Sequence, residues 1–231
     1  MKKTLLLFLA FFAVWGINAQ VNADFESGLP DGWSIDGGWK LGNAASLKSD
    51  YFPFTGNETK FLGTNDDGAG QSGHADGRVI TGFMDFTSTP NVFLQFDLYF
   101  FHGNYNDGGQ ETFSIYYSED GTTWNQITSV ETFYVWKRFY YDVSSFVGNK
   151  NVKIAFEYKD GNNWNYGAGI DNVSISEQPD YFAVVYPPAQ SWTQIDNPGE
   201  TGSFSFTVNY FGKQSLSNFK MVYTIDDGDE K

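Results

Sequence analysis

Residues 93–100 read Phe-Leu-Gln-Phe-Asp-Leu-Tyr-Phe, and the alternation in this stretch decides the fold class. Every second residue is large and apolar: Leu94, Phe96, Leu98 and Phe100. A spacing of two is the side-chain repeat of a β-strand and not of a helix. The positions in between mix polar and aromatic side chains. We therefore expect a strand with one deeply buried face and one partly buried face.

The same period-two pattern returns in three later stretches, at residues 113–117, 139–143 and 152–158. Turn residues separate these stretches. Asp120-Gly121 is a hairpin signal, and Gly- and Asn-rich segments interrupt the chain at 106–109 and 160–163. No amphipathic helix pattern follows the first residues of the chain. The pattern predicts an all-β protein, with an antiparallel two-sheet sandwich of jelly-roll type.

The first residues have the pattern of a secretory signal peptide. Lys2 and Lys3 precede a short apolar stretch, and Ala19 offers a small residue before a cleavage point. This stretch is shorter than the roughly 20 residues that a transmembrane helix needs. We therefore expect residues 1–19 to be a signal peptide, the protein to be secreted or at the cell surface, and the mature chain to have no transmembrane span. A buried N-terminal strand or a membrane anchor is the alternative interpretation.

Charge and cysteine content exclude several function classes. The chain has 14 basic and 28 acidic residues, and loss of Lys2 and Lys3 with the signal leaves 12 against 28, a net charge of −16. A surface this acidic repels phosphate backbones, so we do not expect nucleic acid as a partner. The chain has no cysteine, which excludes disulfides, thiol nucleophiles and zinc–thiolate sites.

A change in pattern after Ile175 predicts a domain boundary. We expect residues 20–176 to form the jelly-roll domain and residues 177–231 to begin with a linker around Pro179. Alternation restarts at residues 204–210 and 221–225, as it would at the start of an immunoglobulin-like module. The remaining length is roughly half of what such a sandwich needs. We therefore interpret the module as truncated, and a small appendage that completes the first domain is the alternative.

Two acidic motifs bracket the predicted sandwich. Asp24-Phe25-Glu26 lies near its start and Gly169-Ile170-Asp171 near its end, each beside apolar strand residues. An unpaired carboxylate is costly to bury in such a place. If the two ends of the sandwich pair, Glu26 and Asp171 come together, and a hard cation such as calcium is the natural partner.

The segment from Tyr51 to Thr81 is long and poorly periodic, which is unusual in a compact domain. Metal ligation through Asn65, Asp66 and Asp67 would fix its polar backbone. The alternative is that Asp66 and Asp67 are solvated turn residues and that Asp171 caps a bulge.

The order and spacing of five motifs resemble one family of extracellular domains. The motifs are Asp24-Phe25-Glu26 with Leu29-Pro30-Asp31-Gly32-Trp33, Asn65-Asp66-Asp67, Asp76-Gly77-Arg78-Val79-Ile80-Thr81, residues 117–124, and Gly169-Ile170-Asp171-Asn172-Val173. Residues 22–176 resemble cleaved-adhesin or choice-of-anchor J domains, MAM-related jelly rolls that are typical of Bacteroidetes surface proteins and include the gingipain adhesin modules. The resemblance implies a structural calcium with Glu26 and Asp171 as ligands, joined by Asp66 or Asp67 and by Asn65. The chain departs from the family at Gly82, where a proline is common.

Several aromatic residues in polar stretches are candidate ligand-binding residues: His102, Tyr105, Trp136, Trp164 and Tyr166. Aromatic rings stack on sugars or peptides, and neighbouring Asn and Asp side chains supply hydrogen bonds. The alternative is that these rings close the ends of the sandwich as minor cores.

Catalysis has little support in the sequence. Residues 70–74 miss the nucleophile pattern G-x-S-x-G at the last position and lie in a loop. Residues 118–124 resemble a sialidase Asp-box, but the motif occurs once, so we expect it to stabilise a hairpin. We predict a non-enzymatic, calcium-stabilised adhesin or binding module for carbohydrate or a host or matrix protein. A non-catalytic accessory domain of a secreted peptidase or glycosidase, and a ligand-free spacer, are the alternatives.

Overall fold

The computed structural model describes residues 19–103, 106, 108–131, 135–186 and 207–217. The predicted signal peptide and the predicted strand at 221–225 therefore lie outside the described residues, apart from Ala19. No helix in the described ranges is both long and apolar enough to cross a membrane.

The described residues confirm the all-β prediction. In chain order the strands are β1 (Ala19–Ala23), β2 (Ser34–Ile35), β3 (Lys40–Gly42), β4 (Phe61–Asn65), β5 (Gly77–Ile80), β6 (Met84–Asp85), β7 (Val92–Phe100), β8 (Thr112–Ser118), β9 (Asn125–Val130), β10 (Lys137–Asp142), β11 (Asn151–Lys159), β12 (Gly167–Glu177), β13 (Ala183–Tyr186) and β14 (Thr207–Tyr210). The helices are single turns: α1 (Ala44–Leu47), α2 (Asp66–Ala69) and α3 (Ser144–Val147).

Strands β1 to β12 form two six-stranded antiparallel sheets. The first sheet has the order β10-β7-β12-β4-β3, and β1 pairs with the second half of β12. The second sheet has the order β2-β5-β11-β8-β9, and β6 pairs with the start of β11. These strands belong to one compact unit, residues 18–178, whereas β13 and β14 belong to a unit that begins at Pro179.

The core lies between the two sheets, on the faces that the alternation predicted. All four predicted side chains of β7 are fully buried: Leu94, Phe96, Leu98 and Phe100. Phe96 contacts Phe113 of β8 and Phe156 of β11 across the sandwich, with ring centroids 6.4 and 5.1 Å apart. Removal of this apolar surface from water is the main force that holds the sheets together.

Strand β12, the last strand of the sandwich, extends further than the sequence predicted. Glu177, which we expected to begin the linker, belongs to β12 and pairs with β7. The backbone N–H of Gln178 then donates to Asn91 O at 3.0 Å. Beyond Pro179, β13 and β14 form an antiparallel pair, and the immunoglobulin-like module stays a prediction.

The segment that we expected to be irregular, 51–81, contains β4, α2 and β5. Its first part covers the outer face of the first sheet, the face turned away from the core. There Phe52 and Phe54 pack against Phe61 and Tyr99. We call these four buried rings the outer aromatic cluster.

Candidate functional site

Two glycines shape the outer face of the first sheet. Gly63 of β4 and Gly169 of β12 lie opposite each other in the strand register. A Cβ on Gly169 would lie 2.9 Å from Phe54 and 3.0 Å from Trp136. The missing side chains therefore leave room for rings to lie directly on the sheet. Trp136 occupies the rim of the outer aromatic cluster, with centroid distances of 5.0 Å to Phe61 and 5.6 Å to Tyr99.

A surface depression of about 230 Å³ opens beside the Trp136 indole. Its lining consists of one tryptophan, one glycine, one threonine, two asparagines and two aspartates: Gly56, Asn57, Thr59, Asp97, Trp136, Asp171 and Asn172. Its volume is below the roughly 300 Å³ at which usual small-molecule pockets begin. The depression suits a single small ring or the end of a chain.

Asp171 forms the buried wall of this depression. It lies opposite Asp97 at an irregularity where β12 bulges against β7, and the next residue, Asn172, has a φ of 49°. Asp171 Oδ1 accepts the Asn172 N–H at 2.7 Å, and Oδ2 accepts Asn57 Nδ2 at 2.8 Å. Burial raises the pKa of Asp171, although the hydrogen bond from Asn57 opposes this effect.

The negative charge of Asp97 is balanced by a direct ion pair with Arg138. Arg138 Nε donates to Asp97 Oδ1 at 2.7 Å and Arg138 Nη2 donates to Oδ2 at 2.6 Å, a bidentate pair. Asn172 Nδ2 adds a hydrogen bond of 2.9 Å to Asp97 Oδ2. No ion pair to Asp171 occurs among the described residues, although the charge of Asp171 contributes to the raised pKa of Arg138. Asp171 therefore faces the depression without a basic group in direct contact.

Glu26 lies at the same end of the first sheet as Asp171. The pairing of Ala23 with Val173 places the residues that follow β1 beside the bulge of β12. Glu26 Oε1 accepts the Lys60 N–H at 2.7 Å, and Lys60 Nζ donates to Glu26 O at 2.9 Å. Residues 57–60 therefore bind both predicted carboxylates, Glu26 and Asp171.

The other predicted metal ligands lie at the opposite end of β4. Asn65 caps α2 through a hydrogen bond from Gly68 N at 2.8 Å, and Asp67 Oδ2 accepts Tyr51 N at 3.3 Å. Five residues of strand, at about 3.3 Å each, separate this end from Lys60. One ion cannot reach both ends, so the expectation of a single shell from Glu26, Asn65, Asp66, Asp67 and Asp171 is corrected to two separate groups.

The donor chemistry at Glu26 and Asp171 fits the calcium that the family resemblance implies. In the described ranges no three His, Asp or Glu side chains are arranged to hold a metal ion. Calcium also takes amide and backbone carbonyl oxygens in irregular geometry. The Glu26 and Asp171 carboxylates, which contact the same turn, are hard oxygen donors of this kind. Asn57 Oδ1 instead accepts Thr59 N at 2.8 Å and Thr59 Oγ1 at 2.6 Å.

Three fully buried carboxylates surround the other end of β4: Asp66, Glu111 and Asp160. We call them the buried acidic cluster. Asp66 Oδ2 accepts Asn165 N at 2.7 Å, and Glu111 Oε2 accepts Tyr158 OH at 2.8 Å. Burial raises the pKa of Asp66 to about 6 and that of Glu111 to about 8.

Sequence reasoning did not select Glu111 or Asp160. Glu111 follows a Gly-rich turn and Asp160 begins one, and a turn residue is normally solvated. The signal in the sequence was the apolar neighbourhood, because Glu111 directly precedes β8 and Asp160 directly follows β11.

The predicted aromatic ligand residues do not form one surface. Trp136 lines the depression. Trp164 Nε1 donates to Asp67 O at 3.3 Å, and Tyr166 packs edge-on against Phe101 at 5.3 Å. His102 lies 3.3 Å from Glu131, and Tyr105 lies outside the described residues. Trp136 therefore lies beside the predicted ligand Asp171, whereas Trp164 and Tyr166 contact the predicted ligands Asp66 and Asp67 at the opposite end of β4.

Comparisons with known proteins give similarity in structure only. No family model and no curated protein sequence matches the chain. The K3 cleaved adhesin domain of Lys-gingipain from Porphyromonas gingivalis W83 is 15% identical, with a TM-score of 0.48 over 68% of this chain and 99% of that domain. The K1 cleaved adhesin domain of the same protein is 18% identical, with a TM-score of 0.45 over 67% and 96%.

A carbohydrate-binding module, TmCBM61, is also similar in structure. It was solved in complex with β-1,4-galactotriose and is 12% identical, with a TM-score of 0.44 over 68% of this chain and 95% of the module. At these identities, membership of the cleaved-adhesin or choice-of-anchor J family stays a prediction.

Proposed function

We propose that this protein is a non-catalytic binding module that acts outside the cell and recognises neutral carbohydrate at the depression beside Trp136. The observation that carries the proposal is the composition of this depression. An indole held rigidly by Phe61 and Tyr99 adjoins amide and hydroxyl groups from Asn57, Thr59 and Asn172.

These groups match the chemistry of a sugar ring. The apolar C–H face of a hexose packs on an aromatic ring, and its hydroxyls exchange hydrogen bonds with amide and carboxylate oxygens. Two carboxylates at the depression, Asp97 and Asp171, share one arginine, Arg138, and together with the acidic surface they disfavour sialylated, sulfated or uronic acid ligands. The preferred ligand class is therefore a neutral saccharide, bound through one ring or a chain end.

Calcium belongs to the same proposal. Glu26 and Asp171 would hold the ion where β1, β12 and the 57–60 turn meet. When bound, calcium supplies positive charge beside the buried Asp171 carboxylate, which lowers the cost of keeping that group ionised. Asn57 and Asp171 then keep the 57–60 turn, and thus one wall of the depression, in place.

The test is a glycan array that contains neutral, sialylated and sulfated saccharides, followed by titration calorimetry of the strongest hits. We expect binding of neutral saccharides. Trp136→Ala should weaken it at least tenfold, because the ring that stacks on the sugar is lost. The matched control is Phe83→Ala, which removes an aromatic ring that is 50% exposed and does not line the depression.

Near-ultraviolet circular dichroism of both variants controls for folding. Unchanged affinity of a folded Trp136→Ala variant would contradict the site. A folded wild type that binds no saccharide but binds a matrix protein would favour the protein-adhesin alternative. A folded wild type that binds neither would favour the ligand-free spacer.

A further inference from the structure

The buried acidic cluster gathers three carboxyl groups with little basic compensation. Its three carboxylates are fully buried and come from separate parts of the chain: the start of α2, the residue before β8 and the residue after β11. The basic partner that contacts the cluster is the imidazole of His74, whose Nδ1 lies 2.8 Å from Asp160 Oδ2. The His74 side chain is 60% exposed, so water screens its charge.

Two oxygens of the cluster have no hydrogen-bond partner although they are buried. They are Asp66 Oδ1 and Glu111 Oε1. Buried polar atoms of this kind are rare and call for an explanation, such as an ion. Asp66 interacts with both other members, because the charge of Asp160 raises the pKa of Asp66 and the charge of Asp66 raises that of Glu111.

The second oxygen of each of these two carboxylates accepts hydrogen bonds. Glu111 Oε2 accepts three hydrogen bonds, from Tyr158 OH at 2.8 Å and from the backbone N–H groups of Tyr166 and Gly167 at 3.2 Å each. Asp66 Oδ2 accepts Asn165 N at 2.7 Å. These donors fix the orientation of both carboxylates and leave Oδ1 and Oε1 available to a further ligand.

We propose that the buried acidic cluster binds one calcium ion through Asp66 Oδ1 and Glu111 Oε1, at a site separate from the Glu26–Asp171 pair. No three His, Asp or Glu side chains of the described ranges are placed to hold a metal ion, so Asp66 and Glu111 supply two carboxylate ligands and backbone carbonyl oxygens and water would complete the coordination. Calcium tolerates such an irregular oxygen shell, whereas magnesium demands a near-ideal octahedron. The all-oxygen donor set also disfavours zinc.

The test is calorimetric titration of the chelator-treated chain with calcium chloride, in the wild type and in Glu111→Gln and Asp66→Asn. Each amide keeps an oxygen for the existing hydrogen bonds but removes the charge that binds the ion. We expect the wild type to bind two ions and each variant to bind one fewer. In chelator at neutral pH, Glu111→Gln should unfold at a higher temperature than the wild type, because it removes a carboxyl group whose pKa is raised by burial and which therefore takes up a proton on folding.

Asp171→Asn is the matched control, since it removes a carboxylate from the other group. It should retain the ion at the cluster. A wild type that binds one ion, lost in Glu111→Gln and retained in Asp171→Asn, would support this inference and contradict the calcium part of the proposed function. Unchanged stoichiometry and affinity in folded Glu111→Gln and Asp66→Asn variants would overturn the inference, as would a wild type that binds no calcium.

Discussion

At the scale of single residues, burial decides the protonation of carboxyl groups more than the number of hydrogen bonds does. Asp120 is exposed in the β8–β9 hairpin and accepts the N–H groups of Thr122 and Thr123 at 2.7 and 2.6 Å, which hold its pKa well below the usual range. Glu111 also accepts three hydrogen bonds, yet burial raises its pKa to about 8. The same side-chain chemistry therefore keeps a charged carboxylate in a turn at one site and favours a protonated carboxyl group at the other.

Replacement of Asp120 should weaken the hairpin that we predicted to be structural. Asp120→Ala removes four hydrogen bonds, from Ser118 Oγ, Thr122 N, Thr123 N and Thr123 Oγ1. We expect scanning calorimetry at neutral pH to show a Tm lower by roughly 2–6 °C.

The pH dependence of this effect has a definite sign. The pKa of Asp120 is lower in the folded chain than in the unfolded chain, so its stabilising contribution is complete at neutral pH. The contribution declines as the pH falls below about 4, where the unfolded carboxylate takes up its proton. The difference in Tm should therefore narrow in acid. Asp50→Ala, in an exposed loop, is the control; an equal loss in both variants would contradict the assigned role.

At the scale of elements, the outer aromatic cluster depends on the facing glycines of β4 and β12. Rings from an irregular segment lie on this sheet face, because Gly63 and Gly169 place no side chains between Phe61 and Tyr99 and the covering rings. The same arrangement positions Trp136 at the edge of the depression. The candidate ligand site is thus a consequence of how the first sheet is covered.

Gly169→Ala should disturb the cluster and the depression together. The new Cβ would lie within 3.0 Å of Phe54 and Trp136, so both rings must shift. Overpacking of this kind costs about 1–3 kcal/mol, which denaturant titration measures. In Gly82→Ala the added Cβ has its nearest neighbour at 3.4 Å, and this control should unfold like the wild type. If Gly169→Ala matches the control in stability and in saccharide affinity, the proposed close packing is wrong.

At the scale of the whole molecule, the period-two pattern predicted the two-sheet sandwich but not the aromatic side chains that lie on the outer face of its first sheet. Alternation identified β7, β8, β10 and β11 because each has one face in a continuous core. Phe52 and Phe54 could not be placed in this way, since they reach the sheet from a segment without regular structure.

The sequence motifs predicted only part of the candidate sites. The motif positions placed Glu26 and Asp171 at the two ends of one domain, and strand pairing does bring them to the same turn. The sequence did not show that β4 separates them from Asp66. It also did not show that the folded chain gathers Glu111 and Asp160 around Asp66, because such contacts depend on three distant turns.

The central claim is that a neutral saccharide binds at the depression beside Trp136. The most direct measurement is a series of two-dimensional ¹H–¹⁵N spectra of the chain, titrated with the neutral saccharide that gives the strongest array signal. The chain has seven tryptophans, so the Trp136 indole signal is assigned by its loss in Trp136→Phe. We predict saturable shifts of this signal and of the side-chain amides of Asn57 and Asn172. Shifts centred instead on Trp164 and Tyr166, or no shifts at saturating ligand, would contradict the claim.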